Sequence, residues 1–394
     1  MLRVLYLNPF GVFGGSTKSL AEMFRALPQG EVQGTVIAPP GLATETLQGV
    51  GLKVEHVSGM PQWNDTRISH YRGARWLVLG REAAYWPDMV RVLRAIRHRG
   101  PFDLIHCNEI TAILPAIAAH RLLGIPLVVH VRSLQRGDEG GRVTAWVMGL
   151  LRDHASAVIA IDEAVRRTLP ADLPVDVIHN GMQVPAELPP SDDSQPFTVG
   201  VIGVLHADKG IYELIEAMRL LKDRGMNVRL LVAGENIRAA SGLKGAILKG
   251  LNFSRDVRSE LEEMVQRYGL EERVEFLGFV KDIASVYRRL DALCFASRLD
   301  APGRPVFEAA LFGRPAIVAM KDPTDDVVVP DVTGLCIDSP EPSVIADAIA
   351  SLASDRRRAR AMGAEGRRRA VERFESKQTA RRTLAVYHRV LSRR

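Results

Sequence analysis

Residues 292–320 read ALCFASRLDAPGRPVFEAALFGRPAIVAM, and the way this stretch divides decides the fold. ALCFAS (292–297) is a short apolar run, the pattern of a strand buried on both faces of a parallel sheet. A loop, 298–304, leaves its carboxyl end. Pro305 suits the first position of a helix, where an N–H would be unpaired anyway. Gly313 ends that helix, Pro315 forbids its continuation, and PAIVAM (315–320) is the next buried strand. Strand, helix and strand in so short a span make a right-handed crossover between parallel strands.

The same alternation runs outward in both directions. The first half opens with RVLYL (3–7), a glycine loop NPFGVFGGS (8–16), and a helix over about 17–27 with Ser16 as its N-cap. Further β-rich runs are TVIAP (35–39), FDLIHC (102–107), PLVVHV (126–131), AVIAI (157–161) and VDVIHN (175–180). VPAELPPSDDSQP (184–196), rich in Pro, Ser and Asp, reads as a linker. The pattern then restarts with TVGVIGVL (198–205), a helix near 210–224, VRLLVAG (228–234), VEFLGFV (274–280) and the quoted stretch. The fold class expected is α/β, with two Rossmann-like doubly wound parallel-sheet domains facing across a cleft. Their expected bounds are 1–183, a linker 184–196, and 197–370, followed by a C-terminal helix, 371–394, packing back toward the first domain. In that helix Ala380, Leu384, Tyr387 and Leu391 form one apolar stripe, which reads as packing.

Composition sets the class. A length of 394 residues suits two domains, and 46% apolar with 25% charged residues is the balance of a soluble globular protein. No apolar run approaches the ~18–20 residues of a membrane helix. The opening MLRVLYLNPF lacks the apolar core and cleavage site of a secretory signal, so a cytoplasmic protein is expected. Cys107, Cys294 and Cys336 stand singly in apolar segments, encoding neither a disulfide framework nor a zinc site. Net charge is 52 − 46 = +6, but residues 356–394 alone carry 14 Lys/Arg against 3 Glu. A second basic excess lies in 67–99, and the stretch 60–99 also carries Trp63, Trp76, Tyr85 and Trp86. These segments are either solvated helix faces or an attraction to an anionic surface such as the inner face of a membrane. Nucleic acid is not indicated, for want of an aromatic-basic sheet motif or finger spacing.

In open parallel sheets, ligands bind beyond the carboxyl ends of strands, where helix N-termini aim N–H groups at anions. Four loops qualify. After ALCFAS, the backbone of Gly303, Arg304, Pro305, Val306 and Phe307 lies at a positive helix end suited to phosphate. Glu308, in the first turn, is placed to accept from ribose hydroxyls, and Asp300 in the loop to reach a sugar. In GVLHADKG, Lys209 follows the first strand of the second half and can meet a diphosphate. Gly14 and Gly15 of the first loop allow close approach of a ligand or the facing domain. Finally His130 and Arg132, at the end of PLVVHV, can reach a reacting sugar and an anionic acceptor. Each also has a purely structural reading: glutamate favours helix starts, aspartate is ordinary in loops, and a strand histidine can be a satisfied core residue. A nicotinamide fingerprint fits poorly, since no G-x-G-x-x-G spacing follows the first strand. No D-x-D triplet occurs, so a manganese cradle is not expected and no metal site is assigned.

Together these segments resemble a family 4 retaining glycosyltransferase of the GT-B fold (glycosyl transferases group 1). The acid-x7-acid motif of that family is matched by Asp300 to Glu308, and its lysine-glycine turn by Lys209-Gly210. Phe276-Leu277-Gly278, Asn180-Gly181, Thr333-Gly334 and the run MGAEGRRRAVERF fit as well. The resemblance implies metal-independent transfer of a sugar, with retention, from a nucleotide-diphosphate donor to a glycan or lipid-linked acceptor. It makes the nucleotide sugar a substrate and requires no cofactor. On it, Asp300 holds the donor sugar, Lys209 the diphosphate, Glu308 the ribose, and His130 the sugar undergoing transfer, while Gly14 and Gly15 belong to the acceptor-side loop. Phe279, Arg298 and Arg304 join the donor site, the two arginines as stand-ins for an arginine that the family carries five positions before its lysine, where Val204 stands. Asp300 replaces the usual glutamate, and the Gly-Gly-x-x-Glu after the motif is absent from AMKDPTDDVVVPD. The alternatives are an epimerase-like enzyme on the same fold and a non-catalytic binder of sugar nucleotides.

Overall fold

The strand Leu2–Leu7 (β1) divides its side chains between two cores, Val4 and Tyr6 in one and Leu5 and Leu7 in the other. All four are fully buried, which is why the run is continuously apolar and not alternating. A computed structural model of the chain describes residues 1–62, 78–135, 141–188, 194–236, 256–299 and 302–393. Trp63, Trp76 and Asp300 therefore lie outside the described residues.

The chain divides into two compact units, Met1–Gln183 with Arg373–Arg394, and Val184–Glu372. In the first unit β1 is flanked by β2 (Val32–Ala38) and β3 (Lys53–His56) on one side. On the other lie β4 (Leu104–Cys107), β5 (Leu127–Val131), β6 (Ala157–Ala160) and β7 (Val175–Val177). The order β3-β2-β1-β4-β5-β6-β7 is parallel throughout. In the second unit β8 (Phe197–Ile202), β9 (Val228–Ala233), β10 (Val274–Gly278), β11 (Ala292–Phe295), β12 (Ala316–Ala319) and β13 (Gly334–Ile337) lie as β10-β9-β8-β11-β12-β13. These pairings too are all parallel. Both sheets therefore reverse direction of growth once, between β1 and β4 and between β8 and β11. Crevices for ligands open at such switch points.

Helices cover both faces of the first sheet. Helix α1 (Gly15–Ala26) and the terminal helix Ser376–Ser392 share the core that holds Val4 and Tyr6. On the other face, helix Trp86–Arg97 buries Met89, Val92, Leu93 and Ile96 and turns Arg91, Arg94 and Arg97 to solvent. Tyr85 is not an outward-facing aromatic, for an added Cβ at Gly59 would come within 2.4 Å of its ring. The expected cap of α1 is corrected: the helix starts two residues earlier than the Ser16 reading, with Gly14 as N-cap and no capping side chain.

The stripe on the terminal helix is packing. Ala380, Leu384, Tyr387 and Val390 are buried against the first sheet, while Leu391 is partly buried there. Tyr387 makes the deepest contact, its hydroxyl 2.7 Å from His106 Nδ1 and 3.5 Å from that of Tyr6. We expect Tyr387→Phe to cost about 1–2 kcal/mol, because it strands the His106 nitrogen in the core. Tyr387→Ala should cost about 3–5 kcal/mol by adding a cavity. Denaturant unfolding at neutral pH measures both, and a Tyr387→Phe variant as stable as the wild type would contradict the hydrogen-bond assignment.

Candidate functional site

In the second unit, the turn after β8 and the loop after β11 are packed backbone on backbone. Residues Ala207–Lys209 form one 3-10 turn that ends in Gly210 at φ 66°. A Cβ on Gly210 would stand 1.8 Å from the carbonyl oxygen of Ala296, so only glycine allows the two segments to meet. The β11 loop is tied to the same turn, with Arg298 N donating to Asp208 O at 2.8 Å and Ser297 Oγ at 3.3 Å. Lys209 is thereby held with its ammonium 5.1 Å from the ring centroid of Phe295, the last residue of β11. It makes no ion pair among the described residues. Burial pushes its pKa below the ordinary lysine value, with Asp208 opposing the shift.

The helix that follows, Arg304–Leu311, starts against that same ring. Its N-cap Gly303 carries no capping side chain, and an added Cβ there would come within 2.5 Å of Phe295 Cζ. Phe295 thus seats both Lys209 and the helix end. Three expectations shift by a residue or so. Pro305 is the second helical residue, not the first, and Glu308 lies just past the first turn. The amide set at 303–307 is also smaller than five, since Pro305 has no N–H and that of Val306 is donated to Gly303 O at 3.0 Å.

Glu308 is held by two donors, Arg304 Nε on Oε1 at 2.7 Å and the Tyr287 hydroxyl on Oε2 at 2.9 Å. Both charged side chains are largely buried, 15% and 12% exposed. Arg298 is drawn to Glu213 in the helix after Gly210. The two arginines read as stand-ins at a diphosphate are therefore each engaged with a carboxylate of their own unit. Phe279, beyond the end of β10, is 72% exposed, and Val204 after β8 is 52% exposed.

In the first unit a buried polar network closes over the ends of β1, β4 and β5. Asn108 Nδ2 donates to Asn8 Oδ1 at 3.0 Å across the switch point. Arg132 is directed into this network: its Nε donates to Asn108 O and Oδ1, both at 3.0 Å, and one terminal nitrogen reaches Asn180 Oδ1. The other lies 3.1 Å from His130 Nδ1. A guanidinium only donates, so Nδ1 must accept and the proton of the neutral imidazole resides on Nε2. That Nε2 is buried without a partner, and His130 is among the residues lining a small pocket with Ser19, Asn180, Thr379 and Thr383. Burial, with Arg132 and His106 alongside, holds His130 well below the ordinary histidine range. Gly14 and Gly15 have open space around them, with nothing within 4 Å of an added Cβ.

The structure therefore gathers Lys209, Gly303, Arg304, Pro305 and Glu308 at one switch point, and His130 with Arg132 at the other. Sequence reasoning missed Phe295, Tyr287, Asn8 and Asn108. The two asparagines carried a signal, each being the first polar residue after a buried strand; the two aromatics read simply as core.

Comparison with known proteins bears on both units. Residues 189–369 match the family model of glycosyl transferases group 1, and residues 14–181 that of the glycosyl transferase 4-like domain. A lipopolysaccharide core biosynthesis mannosyltransferase of Rhizobium meliloti is 29% identical over 304 residues, 74% of this chain and 80% of that protein. An MMP alpha-(1->4)-mannosyltransferase of Mycolicibacterium hassiacum is 26% identical over 76% of this chain and 75% of its own length. Among solved structures, Anabaena HepE in complex with UDP and glucose superposes with a TM-score of 0.76 over 98% of this chain and 100% of that one, at 22% identity.

The buried histidines predict an acid sensitivity. His106 is pushed down to about 3 by burial, with Arg132 adding to it, and His130 is lowered by the same causes. In the unfolded chain both protonate below about 6.5. Stability is therefore fully present above that pH and is lost as pH falls below it, by about 1.4 kcal/mol per pH unit for each histidine. Denaturant titrations between about pH 6.5 and 5 should show a shallower slope for His106→Asn than for the wild type. Identical slopes would contradict the assignment.

Proposed function

Because the chain belongs to the glycosyl transferases group 1 family and is a glycosyltransferase of GT-B fold, we propose that it moves a hexosyl group, with retention and without a metal ion, from a nucleoside-diphosphate sugar to an acceptor hydroxyl. The observation that carries this reading is Lys209, a half-buried ammonium in no ion pair among the described residues, beside an uncapped helix end. Such a pairing suits a diphosphate, whose charge it meets with one cation and a helix dipole.

On this reading Glu308 accepts hydrogen bonds from the donor ribose, Phe279 borders the nucleoside, and Asp300 contacts the sugar. His130 donates its Nε2–H to a hydroxyl of the sugar in transfer. Gly14 and Gly15 leave room for the acceptor. The bond from the anomeric carbon to the leaving phosphate oxygen breaks, the acceptor oxygen bonds to that carbon on the same face, and the acceptor proton passes to the departing phosphate. The hexosyl assignment draws on the relatives named above as mannosyltransferases and on the glucose bound to the Anabaena protein. Lipopolysaccharide core biosynthesis in one relative and capsular polysaccharide biosynthesis in another, from Staphylococcus aureus, favour a saccharide or lipid-linked acceptor. A cytoplasmic enzyme that touches an anionic membrane surface fits the exposed face of Arg91, Arg94 and Arg97. Among the described residues no helix is long and apolar enough to cross a membrane.

Incubation with UDP- and GDP-hexoses and saccharide acceptors in the presence of EDTA tests the whole reading. A product retaining the donor's anomeric configuration by NMR is expected. Loss of turnover in EDTA or an inverted product would refute its finer part, and epimerised sugar formed without acceptor would favour the epimerase-like alternative.

Lys209→Ala and Glu308→Ala should each weaken donor binding or turnover roughly 10–1000-fold. The lowered lysine pKa adds a sign to this. The cation exists only below that pKa, so donor affinity should fall as pH rises through it, earlier than an ordinary lysine would dictate. Lys209→Arg, which stays charged, should hold its affinity to higher pH.

A further inference from the structure

Tyr287, on the helix Ile283–Arg289, is fully buried and stacks on Phe312, ring centroids 5.1 Å apart and 16° from parallel. Packing alone would be served by phenylalanine. The hydroxyl reaches Glu308 Oε2 at 2.9 Å, with Pro305 O farther off at 3.4 Å. Arg304 holds the opposite carboxylate oxygen. We propose that Tyr287 is a positioning residue for the donor ribose: with Arg304 it locks both oxygens of Glu308, so that the carboxylate meets the ribose hydroxyls in one orientation and selects ribonucleotide over deoxyribonucleotide donors.

The argument is geometric. A glutamate has three rotatable bonds, and a carboxylate free to swing spends part of each hydrogen bond on ordering itself. Glu308 sits on a helix whose first turn is set by Pro305, and its head group is clamped from two elements, its own helix and that of Tyr287. A carboxylate oxygen accepts more than one hydrogen bond, so donation from Tyr287 and from a ribose hydroxyl are compatible on Oε2. The phenol–carboxylate bond is charge-assisted, which makes the tyrosine hydroxyl a stronger constraint than a neutral pair would be. The inference rests on the reading of Glu308 as the ribose ligand, and its test separates the two.

Binding of UDP and 2′-deoxy-UDP, and of GDP and 2′-deoxy-GDP, is measured by calorimetry for the wild type, Glu308→Gln and Tyr287→Phe. The comparison is read on the base that binds the wild type more tightly. The wild type should prefer the ribonucleotide by about tenfold or more, Glu308→Gln should show almost no preference, and Tyr287→Phe should retain only about two- to threefold. Tyr287→Phe should also raise the donor KM while leaving kcat nearly unchanged, since it removes binding shared by ground and transition states. A merely structural tyrosine would lower stability and active fraction without changing the ribose preference. A thermal melt reports the fold of Tyr287→Phe, which keeps the stack on Phe312. Arg304→Lys, which loosens the carboxylate from its other oxygen, gives a second variant expected to lose the same preference. If Glu308→Gln abolishes the preference and Tyr287→Phe keeps it, the positioning role is wrong and the ribose reading stands. If the wild type shows no preference, or Glu308→Gln keeps it, the ribose reading fails and this inference falls with it.

Discussion

No side chain fits between the turn that carries Lys209 and the end of β11. The approach of Gly210 to the Ala296 carbonyl is a contact of main chain with main chain, and it fixes where everything else at that switch point stands. Asp208 O receives the amide of Arg298, which starts the β11 loop in a set direction. Phe295 then presents its ring to the Lys209 ammonium and to the Cα of Gly303 together. A cation and a helix N-terminus, supplied by segments some ninety residues apart, are brought to one aromatic surface by a single missing Cβ.

The two units solve the placement of a polar group differently. His130 is neutral because burial forbids its charge, and Arg132 decides which nitrogen keeps the proton. In that arrangement the Arg132 guanidinium donates to Asn108, Asn180 and His130. In the second unit the arginines are again committed, Arg304 to Glu308 and Arg298 to Glu213, while the lysine is not. Arginine is suited to such fixed forks, and lysine to a point charge awaiting a ligand. The basic C-terminal segment follows the same rule, since Arg358 pairs with Asp331, Arg368 and Arg369 with Glu365, and Arg389 with Asp176. Part of the basic charge legible there is engaged in such pairs.

What could be read from the sequence follows burial. Strands buried on both faces, such as β1, β5 and β11, appear as unbroken apolar runs and were located to within a residue or two. The strands not anticipated, β3 and β13, are the outermost on one side of each sheet. KVEH at Lys53–His56 has only partly buried or exposed positions, and GLCI at Gly334–Ile337 is four residues entered through a glycine. Neither has enough apolar repeat to stand out. The site was legible at the level of loops, because glycine, proline and lysine mark strand-to-helix turns by themselves. It was not legible at the level of what orients the functional groups. Tyr287 and Phe295 read as core residues, and they are core residues; only distance reveals that their ring or hydroxyl also constrains a charged neighbour.

The lowered pKa of Lys209 and its fitness for a diphosphate have one origin. Removing water from around the ammonium disfavours the charged form, and the same removal strengthens Coulomb attraction to any anion that arrives. The aromatic ring below recovers only part of the lost solvation. A diphosphate at that position would offset what burial took away, raising the lysine pKa again as it binds.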